Sequence, residues 1–343
     1  MAADWIRQYR LLVLLSLLVG VGQSAATAQE IPAALLGDWS LQLDSKVPAW
    51  LSVQEQDGQP LVFFRLYVGS AGPYRDVTVE DGRLKFVMKK KRKVTAEPAT
   101  VEVGLKDGRL DGVIVRSQAL GGKASGGNAD VAGQRIRFTG QKISPMPTKA
   151  PDLLNVKFGP QVVLFNGQDL TGWTPHELDK VNGWSVVNGV MKNSTPKADF
   201  SATGAYANLK TEAVFEDFRL HIEFLVEAKR NSGIYLRGMY EAQVVDRDSR
   251  MQGIQGPGAI FGAIKPTENA GKLGGEWQTY DITLVDRHIT VILNGIKVID
   301  NQPVSGPTAG AIHTNPNTAG PIYLQGDHTA VLYRNVYLEP VLL

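Results

Sequence analysis

From Glu30 onward, apolar and polar residues alternate one by one in short runs, and Gly, Asn and Asp close most of the runs. A period of two places successive side chains on opposite faces of an extended strand, whereas a helix needs apolar residues three and four apart. Helical spacing is nearly absent, so the chain reads as all-β. Its 36 glycines match the many tight turns that short strands require. Asp81-Gly82, Asp107-Gly108 and Asn294-Gly295 each stand between two alternating runs. A two-residue hairpin turn wants such pairs, because both central residues take positive φ.

The 343 residues exceed what one hydrophobic core usually spans, which predicts two domains. Residues 1–28 read as a secretory signal. Arg7 and Arg10 precede an apolar run from Leu11 to Val21, and the small residues Ala26 and Ala28 precede Gln29. That run falls short of the roughly 20 residues of a membrane helix, and no later segment approaches that length. The expected location is the periplasm or the medium after cleavage near Ala28. There is no cysteine, hence no disulfide and no cysteine lipid anchor. A net charge of +2 gives no general attraction to nucleic acid, and the basic run Lys89–Lys93 is read as a solvated loop or strand end.

The segment Ser144–Asp152 carries three prolines in nine residues, the composition of a stiff extended linker. It divides the chain into a small all-β domain at 30–143, a linker at 144–158 and a larger β domain at 159–343. In the first domain Gly37–Leu43 alternates as a strand, Leu61–Val68 is a second apolar run and Gly121–Gly127 reads as a mobile loop. Short strands with tight turns over this length suit an up-and-down barrel or a small sandwich. The Gly37-Asp38-Trp39 motif is similar to the opening of lipocalins. No ionisable cluster in this domain has the spacing of a reactive site, so its expected role is accessory or binding.

In the larger domain, Phe218, Leu220, Ile222 and Phe224 alternate with Arg219, His221 and Glu223. His221 and Glu223 thus share a polar face, at a spacing compatible with a pair of metal ligands. Ile234 and Leu236 turn inward and Tyr235 and Arg237 the other way. Across a short turn, Glu241 and Gln243 share a face opposite to Tyr240, Ala242 and Val244. Antiparallel pairing of these two strands is expected to gather Tyr235, Arg237, Glu241 and Gln243 on one polar patch. A cross-strand ion pair between Arg237 and Glu241 is the plainer alternative. Tyr323 and Gln325 face away from Ile322 and Leu324, with Asp327 and His328 at the strand end. His176, His288 and His313 lie in turn-like contexts and read as surface residues.

Six ordered motifs carry a resemblance: Leu164–Trp173, Trp184–Val190, Asn231–Gly238, Tyr240–Val244, Gly275–Asp281 and Gly320–Gln325. Together they resemble the 3-keto-disaccharide hydrolase domain family over residues of about 162–340. The resemblance implies a concanavalin-like jelly-roll sandwich, the architecture of laminarinases and legume lectins, in which a concave sheet binds sugar. It implies an exported hydrolase or lyase that cleaves glycosidic bonds of 3-keto-glycosides or related modified sugars. The alternative is a non-catalytic carbohydrate-binding module of the same fold. One departure stands out: where many family members read Leu-Gln-x-His-Gly, this chain has Leu324-Gln-Gly-Asp-His328, and a one-residue shift reverses side-chain direction.

In such a sugar the C3 ketone acidifies the C2 proton, and the glycosidic oxygen on C1 lies β to the resulting carbanion. Cleavage by elimination then needs a base, a stabiliser for the enolate and an acid for the departing oxygen. Glu241 is the expected base, Arg237 or a divalent cation the stabiliser, and Tyr235 or His328 the acid. Asn231, Gln243 and Gln325 are expected to hold hydroxyls and Trp277 to stack on a sugar ring, although Trp277 also suits a core and Asn231 a turn. Asp246 completes a Glu241-x-Gln243-x-x-Asp246 pattern superficially like that of laminarinase-type enzymes, but an uncharged Gln243 does not suit their retaining mechanism.

Overall fold

The computed structural model describes residues 30–67, 71–88, 99–116, 135–196 and 202–342, and the elements named below belong to these residues. The signal segment, the basic run at 89–93 and the glycine-rich stretch at 121–127 lie outside them.

The first unit is an antiparallel meander of β1 (Gly37–Leu43), β2 (Pro48–Gln56), β3 (Gln59–Arg65), β4 (Val77–Glu80), β5 (Arg83–Met88), β6 (Ala99–Lys106), β7 (Arg109–Arg116) and β8 (Arg135–Lys142). Its order β3-β2-β1-β8-β7-β6-β5-β4 is a circle cut between β3 and β4. The segment entering β4 closes the cut, since Val62 and Tyr74 exchange backbone hydrogen bonds of 3.1 and 2.8 Å and Phe64 N–H donates to Ala71 at 2.7 Å. Of the two architectures the sequence allows, this is the up-and-down barrel. The inward parity of every strand feeds one apolar cluster, in which Phe64 meets Phe86 and Phe138 at 5.8 and 5.7 Å between ring centroids. Burying one such ring removes about 150–250 Å² from water, worth about 4 kcal/mol before entropy losses. Trp39 plugs one end, its indole N–H donating 2.9 Å to Leu35 O in a single 3₁₀ turn, Ala33–Leu35. At the β6–β7 corner Asp107 and Gly108 have φ of 51° and 74°, and the corners at 81–82 and 294–295 repeat the pattern, as the dipeptides predict.

The second unit is a sandwich. One sheet holds β10 (Trp173–Pro175), β13 (Leu209–Thr211), β20 (Tyr323–Leu324), β15 (Ser232–Leu236) and β16 (Tyr240–Val244) in that order. The facing sheet holds β11 (Trp184–Val187), β12 (Val190–Asn193), β21 (Val331–Pro340), β14 (Phe218–Leu225), β17 (Trp277–Val285), β18 (His288–Leu293) and β19 (Ile296–Pro303), with β9 (Val162–Val163) beside β21. This is the expected jelly-roll sandwich. Its core takes the alternate positions read from the sequence, among them Phe218, Leu220, Ile222 and Phe224 from β14 and Ile234, Leu236, Ala242 and Val244 from β15 and β16.

The two units share no sheet, and their apolar clusters share no residue. The segment between β8 and β9 carries no helix and only an isolated bridge, and it is held by Arg287 Nη1 on Ser144 O at 2.8 Å and Asn301 Nδ2 on Pro151 O at 2.9 Å. The barrel also rests on the sandwich. Thr314 Oγ1 donates to Ala49 O at 2.8 Å and meets Ser40 Oγ at 2.9 Å, Asp38 faces Arg287 at 3.8 Å, and Gly310 N–H donates to Tyr67 O at 2.7 Å. Most of these sandwich residues come from one loop, 304–322, that leads from β19 to β20.

Candidate functional site

The smaller sheet buries its aliphatic face and turns the other face toward that loop. The register sets Tyr235 directly opposite Glu241 on one side and Tyr323 on the other, so Tyr323, Tyr235 and Glu241 form a row across β20, β15 and β16. Gln243 lies opposite Gly233, and Gln325 follows β20 with its N–H on Gly233 O at 2.9 Å. Alternation along β15 and β16 predicted this meeting of Tyr235, Glu241 and Gln243, with Arg237 expected among them. It did not predict how deeply the row is covered: Tyr235, Tyr323 and Gln243 are each 1% exposed and Glu241 4%. Cover comes from the 304–322 loop, where Ala309 and Gly310 meet the Tyr235 hydroxyl, and the edge of β16 is bonded as well. Phe261 N–H donates to Glu241 O, Gln243 N–H to Ala259 O, and Glu241 N–H to Thr308 Oγ1.

Glu241 is the centre of this site. Burial pushes its carboxyl up to about 8, against the opposing pull of the Tyr235 hydroxyl. The protonated carboxyl can donate to the Tyr235 oxygen while Tyr235 donates to Ala309 O at 2.8 Å. Burial raises Tyr235 well above the usual phenol range, and Glu241 adds to it. The Glu241 side chain lies over bare backbone, because a Cβ on Gly233 would stand 2.3 Å from Glu241 Oε1. Gln243 donates to Gln255 O at 3.0 Å and Gln325 weakly to Tyr235 at 3.4 Å. The side-chain oxygens of both are buried without a donor among the described residues. Buried acceptors of this kind suit ligand hydroxyls, since leaving them unpaired is costly.

Beyond Tyr323 the rim is ionisable. His176 packs edge-on against the Tyr323 ring at 5.6 Å, and burial lowers its pKa. Glu177 accepts from Asn208 N–H and Nδ2, both at 2.9 Å, and pairs with Lys180 at 3.6 Å. Asp327 accepts a short hydrogen bond from Thr203 Oγ1. From the barrel, Arg65 at the end of β3 reaches the electrostatic range of Tyr235, and the Tyr67 hydroxyl is hydrogen-bonded to Tyr323.

Several expected residues stand elsewhere. Arg237 follows β15 with φ of 54°, and this left-handed residue takes its side chain out of the strand's alternation. Its guanidinium donates to Pro316 O and Thr318 O at 2.5 and 2.6 Å and lies 3.9 Å from Asp217, 1% exposed. It is a buried brace for the loop rather than a member of the row, and it does not pair with Glu241 as an ion. Arg237→Ala is expected to cost about 3–5 kcal/mol in urea unfolding, as breaking a buried pair does. Unchanged stability of Arg237→Ala would overturn the bracing role.

Trp277 belongs to the other sheet and carries the Arg334 guanidinium over its ring at 4.0 Å, so it cannot stack on a sugar held at Glu241. His221 and Glu223 also lie on that sheet. His221 Nδ1 meets Asp281 at 2.6 Å and its ring stacks on Tyr337, while Glu223 accepts from Arg334 at 2.7 Å and Asn335 at 2.6 Å. A bulge against β21 falls between them, and they do not form a metal pair. Among the described residues no three His, Cys, Asp or Glu side chains gather to hold a metal ion.

Asp246, past the end of β16, accepts from Lys229 N–H at 3.3 Å. Asn231 precedes β15, and the Thr329 hydroxyl binds both its N–H and its carbonyl, at 2.9 and 2.8 Å. These bonds fix the backbone at the turn into β15. His328 falls in the turn leaving β20, where strand alternation no longer sets direction. His176, His288 and His313 are half-buried or buried instead of superficial, with His313 Nε2 2.6 Å from Arg237 O and His288 Nδ1 2.9 Å from Asp286 O. Arg65 and Tyr67 were missed. Their one signal is a charged residue inside the apolar run Leu61–Val68.

A family model described as a 3-keto-alpha-glucoside-1,2-lyase-like domain matches residues 160–339, just over half of the chain. A search of curated proteins finds no match. Among solved structures, a proposed glycosyl hydrolase from Parabacteroides distasonis ATCC 8503 is similar at 21% identity and a TM-score of 0.44, over 52% of this chain and 93% of that one. A second from the same organism has 23% identity and a TM-score of 0.39, over 52% and 98%. Porphyranase B from Zobellia galactanivorans has 11% identity and a TM-score of 0.32, over 57% and 98%.

Proposed function

The chain belongs to the 3-keto-alpha-glucoside-1,2-lyase-like domain family, a family of glycoside-acting domains, and on that premise we propose that it cleaves the C1–O bond of a glycoside already oxidised at C3. The observation that carries the reading is Glu241, a buried carboxyl poised at about 8 within a polar row. A general base works best when its pKa lies near the working pH.

Glu241 takes the proton from C2 and the electrons flow into the C3 ketone as an enolate. The enolate returns them to form the C1–C2 double bond, and the C1–O bond breaks. Tyr235, beside Glu241 in the row, gives its proton to the departing oxygen. Water then adds its hydroxide to C1 and its proton to Tyr235, while Glu241 returns a proton to C2. The sum is one glycoside and one water consumed, one alcohol and one 3-keto sugar released. Gln243 and Gln325 offer their buried oxygens to sugar hydroxyls. Glu177, beyond Tyr323, is held by Asn208 and Lys180. Export, expected from residues 1–28, is part of the same proposal.

The test is turnover of 4-nitrophenyl 3-keto-glucosides, α and β, in deuterium oxide. Elimination places deuterium at C2 of the released 3-keto sugar at a rate above the enzyme-free control. Cleavage that keeps the C2 proton and shows no slowing with C2-deuterated substrate would rule out the base role, and binding without cleavage would favour the binding-module alternative.

A further inference from the structure

The barrel touches the sandwich at the loop that lines the site. Tyr67 O accepts the Gly310 N–H at 2.7 Å, and the neighbouring Ala309 O accepts the Tyr235 hydroxyl at 2.8 Å. Gly310 is packed against that hydroxyl, where a Cβ would stand 2.4 Å from the Tyr235 oxygen. The Trp50 ring, paired with Arg65 across β2 and β3, presses on Gly306 of the same loop, 2.9 Å from where a Cβ would be. Backbone and ring contacts thus seat the end of β3 over the row.

The side chains there point into the polar network. The Tyr67 hydroxyl bonds to Tyr323 and feels the charges of Glu177, Asp327 and Glu241, although 38% of the residue remains exposed. Burial, with a further contribution from Glu177, pushes that hydroxyl up to about 12. Arg65 is half-buried, and its guanidinium senses the Tyr235 oxygen. The sandwich's own arginine, Arg237, is occupied with Pro316 and Thr318. An enolate needs a positive group near C3, and Arg65, opposite Trp50 on the strand pair that presses on this loop, brings one within electrostatic range of Tyr235.

We propose that the barrel is part of the active site, with Arg65 carrying the negative charge that develops on the substrate's C3 oxygen and Tyr67 acting as a positioning residue for Tyr323. This deepens the proposed reaction and rests on it. A guanidinium at an enolate acts like an oxyanion donor, whose removal costs a hundredfold or more in rate. The barrel would then decide whether the sandwich can react, in place of the accessory role its sequence suggested.

The experiment uses the full chain with Arg65→Gln, Arg65→Lys and Tyr67→Phe. Turnover of the 4-nitrophenyl 3-keto-glucosides is expected to fall about a hundredfold in kcat for R65Q, to recover in part for R65K, and to fall a few-fold for Y67F. R65Q turnover within twofold of wild type overturns the proposal. A second readout does not depend on cleavage: calorimetric binding of a C-glycoside carrying the same C3 ketone, whose C1–C bond cannot be expelled. Wild type is expected to bind it at least tenfold more tightly than R65Q. Equal binding, or no binding by wild type, overturns the barrel's role. If wild type fails to cleave the reactive glycosides yet binds this analogue through Arg65, the reaction is wrong and the barrel's place in the site stands.

Discussion

Glu241→Gln is expected to abolish glycoside cleavage and at the same time to stabilise the protein at alkaline pH. The loss of rate should reach a factor of about 10²–10⁴, the usual contribution of a positioned general base. The amide keeps the shape of the carboxyl, its hydrogen bond to Tyr235 included, but cannot accept the C2 proton. The gain in stability follows from the same burial that tunes the base. The folded carboxyl titrates at about 8 against a usual value of 4.5. Between those values the folded state holds a proton that the unfolded state has released. Stability therefore falls as pH rises through this window, by about 1.4 kcal/mol per pH unit, and the cost is complete above pH 8. Glutamine has no charge to desolvate and escapes it. Urea unfolding of wild type and E241Q should agree near pH 4 and diverge in favour of E241Q by a few kcal/mol at pH 9. Activity of the wild type should rise with pH along a limb that bends near 8. An E241Q protein that loses stability at pH 9, or a rate flat from pH 6 to 9, would contradict the assignment of Glu241.

Gly233→Ala should be nearly as damaging, although the side chain added is one methyl. Its Cβ would lie 2.3 Å from Glu241 Oε1, 2.8 Å from Cγ and 2.9 Å from Cδ, where no carbon can remain. The glutamate must yield, and it is 4% exposed and held against the Tyr235 hydroxyl. A displacement of about 1 Å at a reacting group costs on the order of 10² in rate, and overpacking costs about 1–3 kcal/mol. The expected result is a hundredfold fall in kcat in a protein that still folds. Because the methyl acts through Glu241, G233A added to E241Q should lower the rate no further. A G233A enzyme with wild-type turnover would mean that the carboxyl does not work where it lies.

Much of this site was legible in the chain. Alternation in β15 and β16 puts Ile234, Leu236, Ala242 and Val244 on one face, leaving Tyr235, Glu241 and Gln243 on the other, and a short turn between the strands leaves little freedom in their pairing. The hairpin corners were equally local, since Asp-Gly and Asn-Gly adopt positive φ with little outside help. Readings failed where direction stopped being a matter of parity. Arg237 kept its predicted position but left the strand pattern through one left-handed residue. Trp277, His221 and Glu223 alternate properly on strands that joined the other sheet.

The period of two is written residue by residue, because a side chain's face depends only on its neighbours in the strand. The sequence alone therefore determined the all-β class, the turns, the polar face and the identity of Glu241 within it. Which sheet a strand joins and what covers a face are set by contacts between residues far apart. Tyr67 meets Tyr323 across more than 250 residues, Ala49 meets Thr314 across 265, and Thr308 reaches Glu241 across 67. Tertiary structure alone decided that the polar face is buried, that burial pushes its carboxyl up to about 8, and that the end of a barrel strand meets the loop covering it.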